Sequence, residues 1–100
     1  MNPIESHNAD ITKLCKTHNV KSLYAFGSVV TDKFNMESDI DLIVEFQQLD
    51  VLDYVDNYYD LKFSLEILLK REIDLIEEKA IKNPYFRKTI NQNKQLLYGQ

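Results

Sequence analysis

Hydrophobic and polar positions along this chain follow two periods, which predicts a mixture of helices and strands. Every second residue from Ile40 to Phe46 is apolar, the pattern of a strand with one buried face. From Tyr54 to Leu68 the large apolar residues instead step by four and three, the pattern of an amphipathic helix. Together the patterns predict a helix over residues 3–18 closed by Asn19, a strand over 21–26, a helical turn from Ser28, a strand over 39–46, a helix over 53–70, a strand over 72–76 and a helix from Asn83-Pro84 to about Leu96.

This order of elements predicts an α/β fold in which a small mixed β-sheet is flanked by helices. The chain has 100 residues, of which 44% are hydrophobic, and this is enough apolar material for one core. We therefore expect a single domain over residues 1–100, without room for a separate domain that binds an acceptor.

Composition and charge limit the classes of binding partner and the cellular compartment that we expect for this protein. The net charge of −4 and the pI of about 5.1 argue against binding to duplex nucleic acid, which usually needs a basic face. No apolar stretch reaches the roughly 18 residues that a membrane span needs, and residues 1–5 lack the basic and apolar regions of a signal peptide. Cys15, the single cysteine, excludes an internal disulfide and fits a reducing compartment. These features predict a cytoplasmic protein that does not bind membranes.

The candidate chemistry centres on Gly27, the only glycine in the first 98 residues. A chain so poor in glycine places one where the backbone turns sharply or approaches a ligand closely. Ser28 follows directly, and ten residues further on comes Asp39-Ile40-Asp41, at the head of an apolar run. Two aspartates at i and i+2 on a strand share one face, and a cation relieves their mutual repulsion. The spacing predicts a phosphate-binding loop followed by a divalent-metal clamp.

A third carboxylate, Asp74, lies on the next predicted strand. It converges with the other two if the strands are neighbours and their polar faces lie on the same side. Magnesium takes oxygen ligands and keeps several waters, and two such ions can activate an attacking hydroxyl and stabilise leaving pyrophosphate. We therefore predict Asp39, Asp41 and Asp74 as catalytic and metal-binding residues, and Gly27 and Ser28 as nucleotide-binding residues.

Taken singly, each of these features has an ordinary explanation. An Asp-x-Asp pair at a strand start usually caps a turn, and Gly-Ser is common turn chemistry. A lone Asp74 fits the exposed face of an edge strand. The combination, in this order and with a strand before the glycine and another under the aspartates, favours the functional interpretation.

Other polar and aromatic residues carry weaker signals. Two histidines without metal-ligand spacing and one cysteine in an apolar stripe are expected at the surface or in packing: His7, His18 and Cys15. Three basic residues offer phosphate contacts, although solvated roles are commoner: Lys33, Lys70 and Arg71. Three tyrosines are expected at the core and rim of the long helix, where an exposed part offers a partner surface: Tyr54, Tyr58 and Tyr59.

The candidate residues also resemble the signature of a known family. Phe26-Gly27-Ser28, the ten-residue gap and Ser38-Asp39-Ile40-Asp41-Leu42 are similar to the pattern of the DNA polymerase-β-like nucleotidyltransferases, specifically the minimal nucleotidyltransferases (MNT). The segment Arg71-Glu72-Ile73-Asp74-Leu75 resembles the one that carries the family's third carboxylate, and the resemblance covers nearly the whole chain. One departure is Val29-Val30, where many members carry a basic residue soon after the Gly-Ser pair.

The resemblance implies a small α/β nucleotidyltransferase fold that uses ATP with magnesium, two ions being expected, and transfers a nucleotidyl group to a hydroxyl. Minimal members are often antitoxins that adenylylate a tyrosine of a HEPN-domain toxin, a ribonuclease. The resemblance therefore implies a protein adenylyltransferase in a hetero-oligomer with such a toxin. Two other interpretations stay open: an antitoxin that neutralises its partner by occlusion, with a vestigial site, and a nucleotidyltransferase that acts on a small molecule or an RNA end.

Overall fold

The computed structural model describes residues 3–31 and 38–99. Within these ranges the chain forms four α-helices, four β-strands and two short 3-10 turns. The helices are α1 (Pro3–Ser6), α2 (Asn8–Thr17), α3 (Val51–Leu69) and α4 (Pro84–Asn93). The strands are β1 (Val20–Phe26), β2 (Ile40–Phe46), β3 (Ile73–Glu77) and β4 (Gln95–Gly99). The 3-10 turns, Gly27–Val30 and Glu78–Ala80, follow β1 and β3.

The strands form one mixed sheet in the order β3-β2-β1-β4. β1 runs antiparallel to both of its neighbours, β2 and β4, whereas β2 and β3 run parallel. A parallel pair needs a crossover connection, which α3 supplies between β2 and β3. The predicted α/β class with a small mixed sheet and flanking helices is therefore confirmed.

The two faces of the sheet are covered differently. On one face the apolar positions of β2 pack in the main core, with Leu61 of α3 and Ile11 of α2. On the other face Ile43 packs with Ile90 of α4 in a smaller cluster. Asp41 lies two residues before Ile43 and so belongs to this second face. The predicted site therefore lies on the sheet face opposite α2 and α3.

The first predicted helix is divided in two. α1 ends at Ser6 and α2 begins at Asn8, because His7 leaves the helical conformation with φ −118° and ψ 20°. Asn19 follows α2 with a φ of +59°, in the left-handed conformation expected of a helix stop. The prediction of a continuous helix over residues 3–18 is therefore wrong at His7.

The last helix is shorter than predicted, and a fourth strand follows it. α4 begins as expected, since the Asn83 side chain accepts hydrogen bonds from the amides of Tyr85 and Phe86. It ends earlier than predicted, at Asn93, and Gln95–Gly99 then pairs with β1. This segment has no alternating pattern, so pairing with β1 determines its structure more than local preference does.

α3 is the longest helix, with 19 residues. It begins at Val51 and ends before Lys70, whose left-handed conformation closes it at a φ of +56°. Neither α3 nor any other helix in the described part of the chain is long and apolar enough to cross a membrane. The cytoplasmic location stays a prediction.

Candidate active site

The parallel pairing of β2 and β3 sets two carboxylates side by side. Asp41 of β2 is the register partner of Asp74 of β3. Both residues project from the second face, because Ile40 and Ile73, their neighbours in the strands, pack in the main core. The condition for convergence, that the two strands are neighbours with their polar faces on the same side, is met for Asp41 and Asp74. Asp39 lies one residue before β2 and is exposed.

The pKa of Asp41 reflects this crowding. Burial raises the pKa above its ordinary value of 3.8, and the negative charges of Asp74 and Asp39 raise it further. A cation beside Asp41 would therefore be stabilising. Among the described residues, no three His, Cys, Asp or Glu side chains are close enough to form a complete metal site by themselves. The carboxylates still fit magnesium as donors, since waters and phosphate oxygens complete its shell. Their metal-binding role stays a prediction.

Gly27 brings the loop against Asp41. Its φ of +76° lies in the left-handed region, and a Cβ at this position would stand 2.5 Å from Oδ2 of Asp41. Glycine is therefore favoured here both by the backbone conformation and by the close approach to the carboxylate. The predicted helical turn is the 3-10 turn that begins at Gly27. The Gly-Ser turn and the Asp-x-Asp segment of the sequence pattern are therefore in contact in the fold.

A cavity of about 330 Å³ lies between this turn and α4. The lining is largely apolar, and its polar residues are Ser28, Thr31, Thr89 and Asn93. The rings of Phe26 and Phe86 pack edge to face, with centroids 6.0 Å apart, and belong to the same lining. An apolar cavity with a few polar groups suits a nucleoside-sized ligand. Sequence reasoning missed the part played by α4, because its pattern does not reveal which sheet face it covers.

The valines after Ser28 are used for packing. Val29 is 1% exposed and belongs to the main core, and Val30 packs against that core. This accounts for the departure from the basic residue that the resemblance would place here. No basic side chain is among the described residues that line the cavity. Lys33, the predicted alternative, lies in residues 32–37, outside the described ranges.

Arg71 contacts the segment that leads into the site. Its Nη1 donates a hydrogen bond to the carbonyl oxygen of Ser38 at 3.1 Å. This bond ties the residue before Asp39 to the start of β3. The two residues are 33 positions apart, so sequence spacing could not reveal the contact. Lys70 is exposed at the end of α3, and a phosphate contact by either basic residue stays an untested alternative.

The weaker candidates of the N-terminal region have structural roles. Cys15 is fully buried in the main core, and burial raises the pKa of its thiol to about 12. The thiolate is therefore scarce, and packing is the role expected of this side chain. Nδ1 of His18 lies 2.8 Å from the carbonyl oxygen of Leu14, a contact within its own helical region. His7 marks the break between α1 and α2.

We expect Asp41→Asn to raise the thermal midpoint at neutral pH. A raised pKa in the folded state means that the folded protein holds this proton more tightly than the unfolded chain does. The free energy of unfolding therefore falls as pH rises from 3.8 through the folded-state value. The variant has no titrating carboxyl group at this position, so its free energy of unfolding does not fall in this way. The difference in thermal midpoint between the variant and the wild type should therefore vanish below pH 3.8. Thermal unfolding of both proteins across this range measures the effect, and an advantage that does not change with pH would contradict it.

Comparison with known families matches residues 9–100 to the family described as polymerase beta, nucleotidyltransferase. Two relatives from Methanocaldococcus jannaschii, each named "Putative protein adenylyltransferase", are 38% identical to this chain. The first match spans 85% of this chain and 82% of the relative, and the second spans 81% and 78%.

Solved structures share the fold. One described as a "putative minimal nucleotidyltransferase" has a TM-score of 0.76 at 26% identity, over 95% of each chain. A chain of a toxin–antitoxin crystal structure with AMP-PNP has a TM-score of 0.71 at 22% identity, over 93% of this chain and 73% of that one. A chain from the structure of a tri-AMPylated Shewanella oneidensis HEPN toxin in complex with an MNT antitoxin has a TM-score of 0.65 at 20% identity. The match covers 96% of this chain and 72% of that one.

Proposed function

The chain belongs to the polymerase-β nucleotidyltransferase family and is a nucleotidyltransferase, and on that premise we propose that it transfers AMP from ATP to a tyrosine hydroxyl of a HEPN-domain partner. The observation that carries the proposal is the meeting of three parts of the predicted pattern. Asp41 and Asp74 are register partners, and the backbone of Gly27 lies against the Asp41 carboxylate.

The comparisons support the choice of acceptor and partner. The two relatives from M. jannaschii carry the name of protein adenylyltransferases, which favours a protein hydroxyl over a small molecule or an RNA end. A structural neighbour is found in a complex of an AMPylated HEPN toxin with its MNT antitoxin, which favours a HEPN-domain protein as the partner. Another comes from a toxin–antitoxin structure with AMP-PNP, which favours ATP as the donor.

The residues of the site divide the work of binding ATP. The backbone at Gly27 and the hydroxyl of Ser28 hold the triphosphate, and the cavity between the 3-10 turn and α4 receives the nucleoside. Asp39, Asp41 and Asp74 would hold magnesium. When bound, the ions would supply charge neutralisation of the phosphates and of the leaving pyrophosphate. Little covalent work remains for the protein, since positioning and electrostatics dominate phosphoryl-type transfer.

The transfer step exchanges one phosphorus–oxygen bond for another. The tyrosine oxygen of the partner forms a bond to the α-phosphorus, and the bond from that phosphorus to the bridging oxygen of the β-phosphate breaks. Pyrophosphate leaves with the electron pair, and the hydroxyl proton passes to a carboxylate. Asp74 is the residue we assign to this proton, because it is exposed beside Asp41 on the second face.

Neutralisation by occlusion is the second candidate function. It is favoured by one observation: no basic side chain is among the described residues lining the cavity beside Gly27 and Ser28. Under occlusion the partner would be inhibited stoichiometrically, without ATP, and with no change in its mass. Catalysis instead predicts that a small amount of the chain inactivates an excess of partner.

Intact mass spectrometry of a co-expressed HEPN-domain partner tests the proposal. With the wild-type chain we expect the partner to gain the mass of one or more AMP units, and peptide mapping to place them on tyrosine. With Asp39→Ala we expect an unmodified partner. A partner that is neutralised yet unmodified by the wild-type chain would overturn the proposal in favour of occlusion.

A further inference from the structure

α3 presents a row of apolar side chains to solvent. Leu52, Val55, Tyr59, Phe63 and Ile67, here called the α3 row, step by three, four, four and four residues along the helix. Their exposed fractions are 89%, 54%, 49%, 52% and 78%. The row runs for about 22 Å at the rise of an α-helix. Contiguous exposed apolar surface of this kind marks an interaction site.

The α3 row borders a cavity of about 490 Å³ at the edge of the sheet. Val55 and Tyr59 belong both to the row and to the cavity lining, which continues to Leu75 of β3. The hydroxyl of Tyr58 donates a hydrogen bond to the Leu75 carbonyl oxygen and so joins α3 to this edge strand. The rings of Tyr59 and Phe63 lie 5.8 Å apart and form an aromatic platform on the helix. The row and the cavity are thus one continuous surface.

A second row, of acidic residues, runs beside the apolar one. Asp53, Asp56 and Asp60 each stand one position after a member of the α3 row, and all three are exposed. None of the three takes part in an ion pair with another described residue. A partner that covers the apolar row therefore meets uncompensated negative charge along one side. Lysine or arginine side chains at that flank would complement it.

A second copy of the chain fits this surface poorly. Two-fold pairing uses the same surface of both copies, and in an antiparallel arrangement it sets each acidic row against its own copy. Like charges at such distances are destabilising. The net charge of −4 adds to this repulsion. The charges therefore favour a different protein as the occupant.

We propose that the α3 row and its adjoining cavity dock an amphipathic helix of the acceptor protein, with apolar side chains on the row and basic side chains against Asp53, Asp56 and Asp60. This inference rests on the proposed function for the identity of the partner. It goes further by assigning the surface that holds the partner and the chemistry that recognises it.

The docking surface reaches β3, the edge strand that carries Asp74, although α3 covers the opposite face of the sheet. Of the residues that line the cavity, Leu75 packs in the main core and Ile76 packs against the smaller cluster on the second face, so the cavity extends around this edge of the sheet. The pKa of Tyr58 is raised by burial, which is the largest cause, and more weakly by the charges of Tyr59 and Asp74 against the opposing effect of Lys62. A partner bound along α3 would have its adjoining segments at this edge of the sheet, next to the strand that carries Asp74.

The test compares an α3 variant with a matched control. Phe63→Glu combined with Ile67→Glu places charge on the row at exposed positions that lie outside both core clusters. Tyr85→Glu is the control, because Tyr85 is 81% exposed on α4 and lies away from the row. Calorimetry measures binding to the cognate HEPN-domain protein. We expect the double variant to weaken the complex by about 100-fold, the scale of a lost hot spot, and the control to leave it unchanged.

The acidic row is tested separately. Replacing Asp53, Asp56 and Asp60 by asparagine should slow association and reduce its dependence on salt. ATP binding by each variant alone should equal that of the wild type, which shows that the folds are intact. An unchanged complex in the double variant overturns the docking surface. Light scattering that shows a dimer abolished by Ile67→Glu would identify a second copy as the occupant and would also overturn it.

The outcomes separate this inference from the proposed function. AMP transfer by the wild type, together with an unchanged complex in the double variant, removes the docking surface and keeps the function. A complex that depends on the α3 row but never yields a modified partner removes the function and keeps the docking surface. Failure of the wild-type chain to bind the HEPN-domain protein overturns both.

Discussion

Asp41→Ala should lower the rate of nucleotidyl transfer by about 1,000-fold or more while the protein remains folded. Under the proposed function, loss of this carboxylate removes a ligand for the cations that would neutralise the phosphates, and such charge stabilisation is worth several kcal/mol. Each factor of ten in rate corresponds to about 1.4 kcal/mol. Single-turnover transfer with ATP, magnesium and the partner measures the effect. The fold should survive, because the repulsion from Asp74 and Asp39 disappears with the side chain.

Glu45→Ala is the matched control for this prediction. Glu45 lies on the same strand and the same sheet face as Asp41, four residues further on, and is exposed. Its removal changes the net charge equally but leaves the pair formed by Asp41 and Asp74 intact. We expect its transfer rate to remain within a few-fold of the wild type. Equal rates for the two variants would refute the role assigned to Asp41.

Gly27→Val should abolish ATP binding and cost on the order of 1–2 kcal/mol of stability, the strain of a side chain in the left-handed region. The added Cβ would stand 2.5 Å from Oδ2 of Asp41, so that carboxylate must move away from its present position. Because the contact is with the end of a side chain, the damage to the site should exceed the damage to the fold. Calorimetry of ATP binding and thermal unfolding measure the two effects.

Two further variants serve as comparisons for Gly27→Val. Ser28→Ala removes one hydroxyl, a loss on the order of 1–3 kcal/mol if it donates to a charged phosphate, and should bind ATP better than Gly27→Val does. Gly99→Ala places a Cβ at a φ of +88° against the backbone of Lys21, which lies in β1 away from the site. It should lower stability without the specific loss of ATP binding. A reversed ranking of Gly27→Val and Ser28→Ala would show that Gly27 does not hold the phosphates.

The central part of the site could be predicted because its pattern is local. Asp39 and Asp41 stand at the head of the most clearly alternating strand, and the alternation itself assigns Asp41 to the polar face. Asp74 followed from the same argument on the next strand. The direct contact of Gly27 with Asp41 and the exact register with Asp74 depend on strand pairing, which spacing along the chain does not determine.

Elements formed by tertiary contact were missed. β4 has no periodicity of its own and exists through its pairing with β1. In α3 the apolar steps of four and three between Tyr54 and Leu68 include Leu61 and Leu65, and both lie in the core. The second apolar row, which includes Phe63 and Ile67, was missed, because a helix that is apolar on most sides does not reveal which side the sheet covers. The aromatic partner surface expected on this helix corresponds to Tyr59 of that row.

The position of the label in ATP tests the account most directly. The partner in large molar excess is incubated with the chain, magnesium and ATP labelled either at the α-phosphate or at the γ-phosphate. Nucleotidyl transfer predicts that the α-label enters the partner, in more than one equivalent per chain, and that the γ-label leaves in pyrophosphate. Entry of the γ-label would indicate phosphoryl transfer, and neutralisation of the partner without either label would indicate occlusion. Either result would contradict the account.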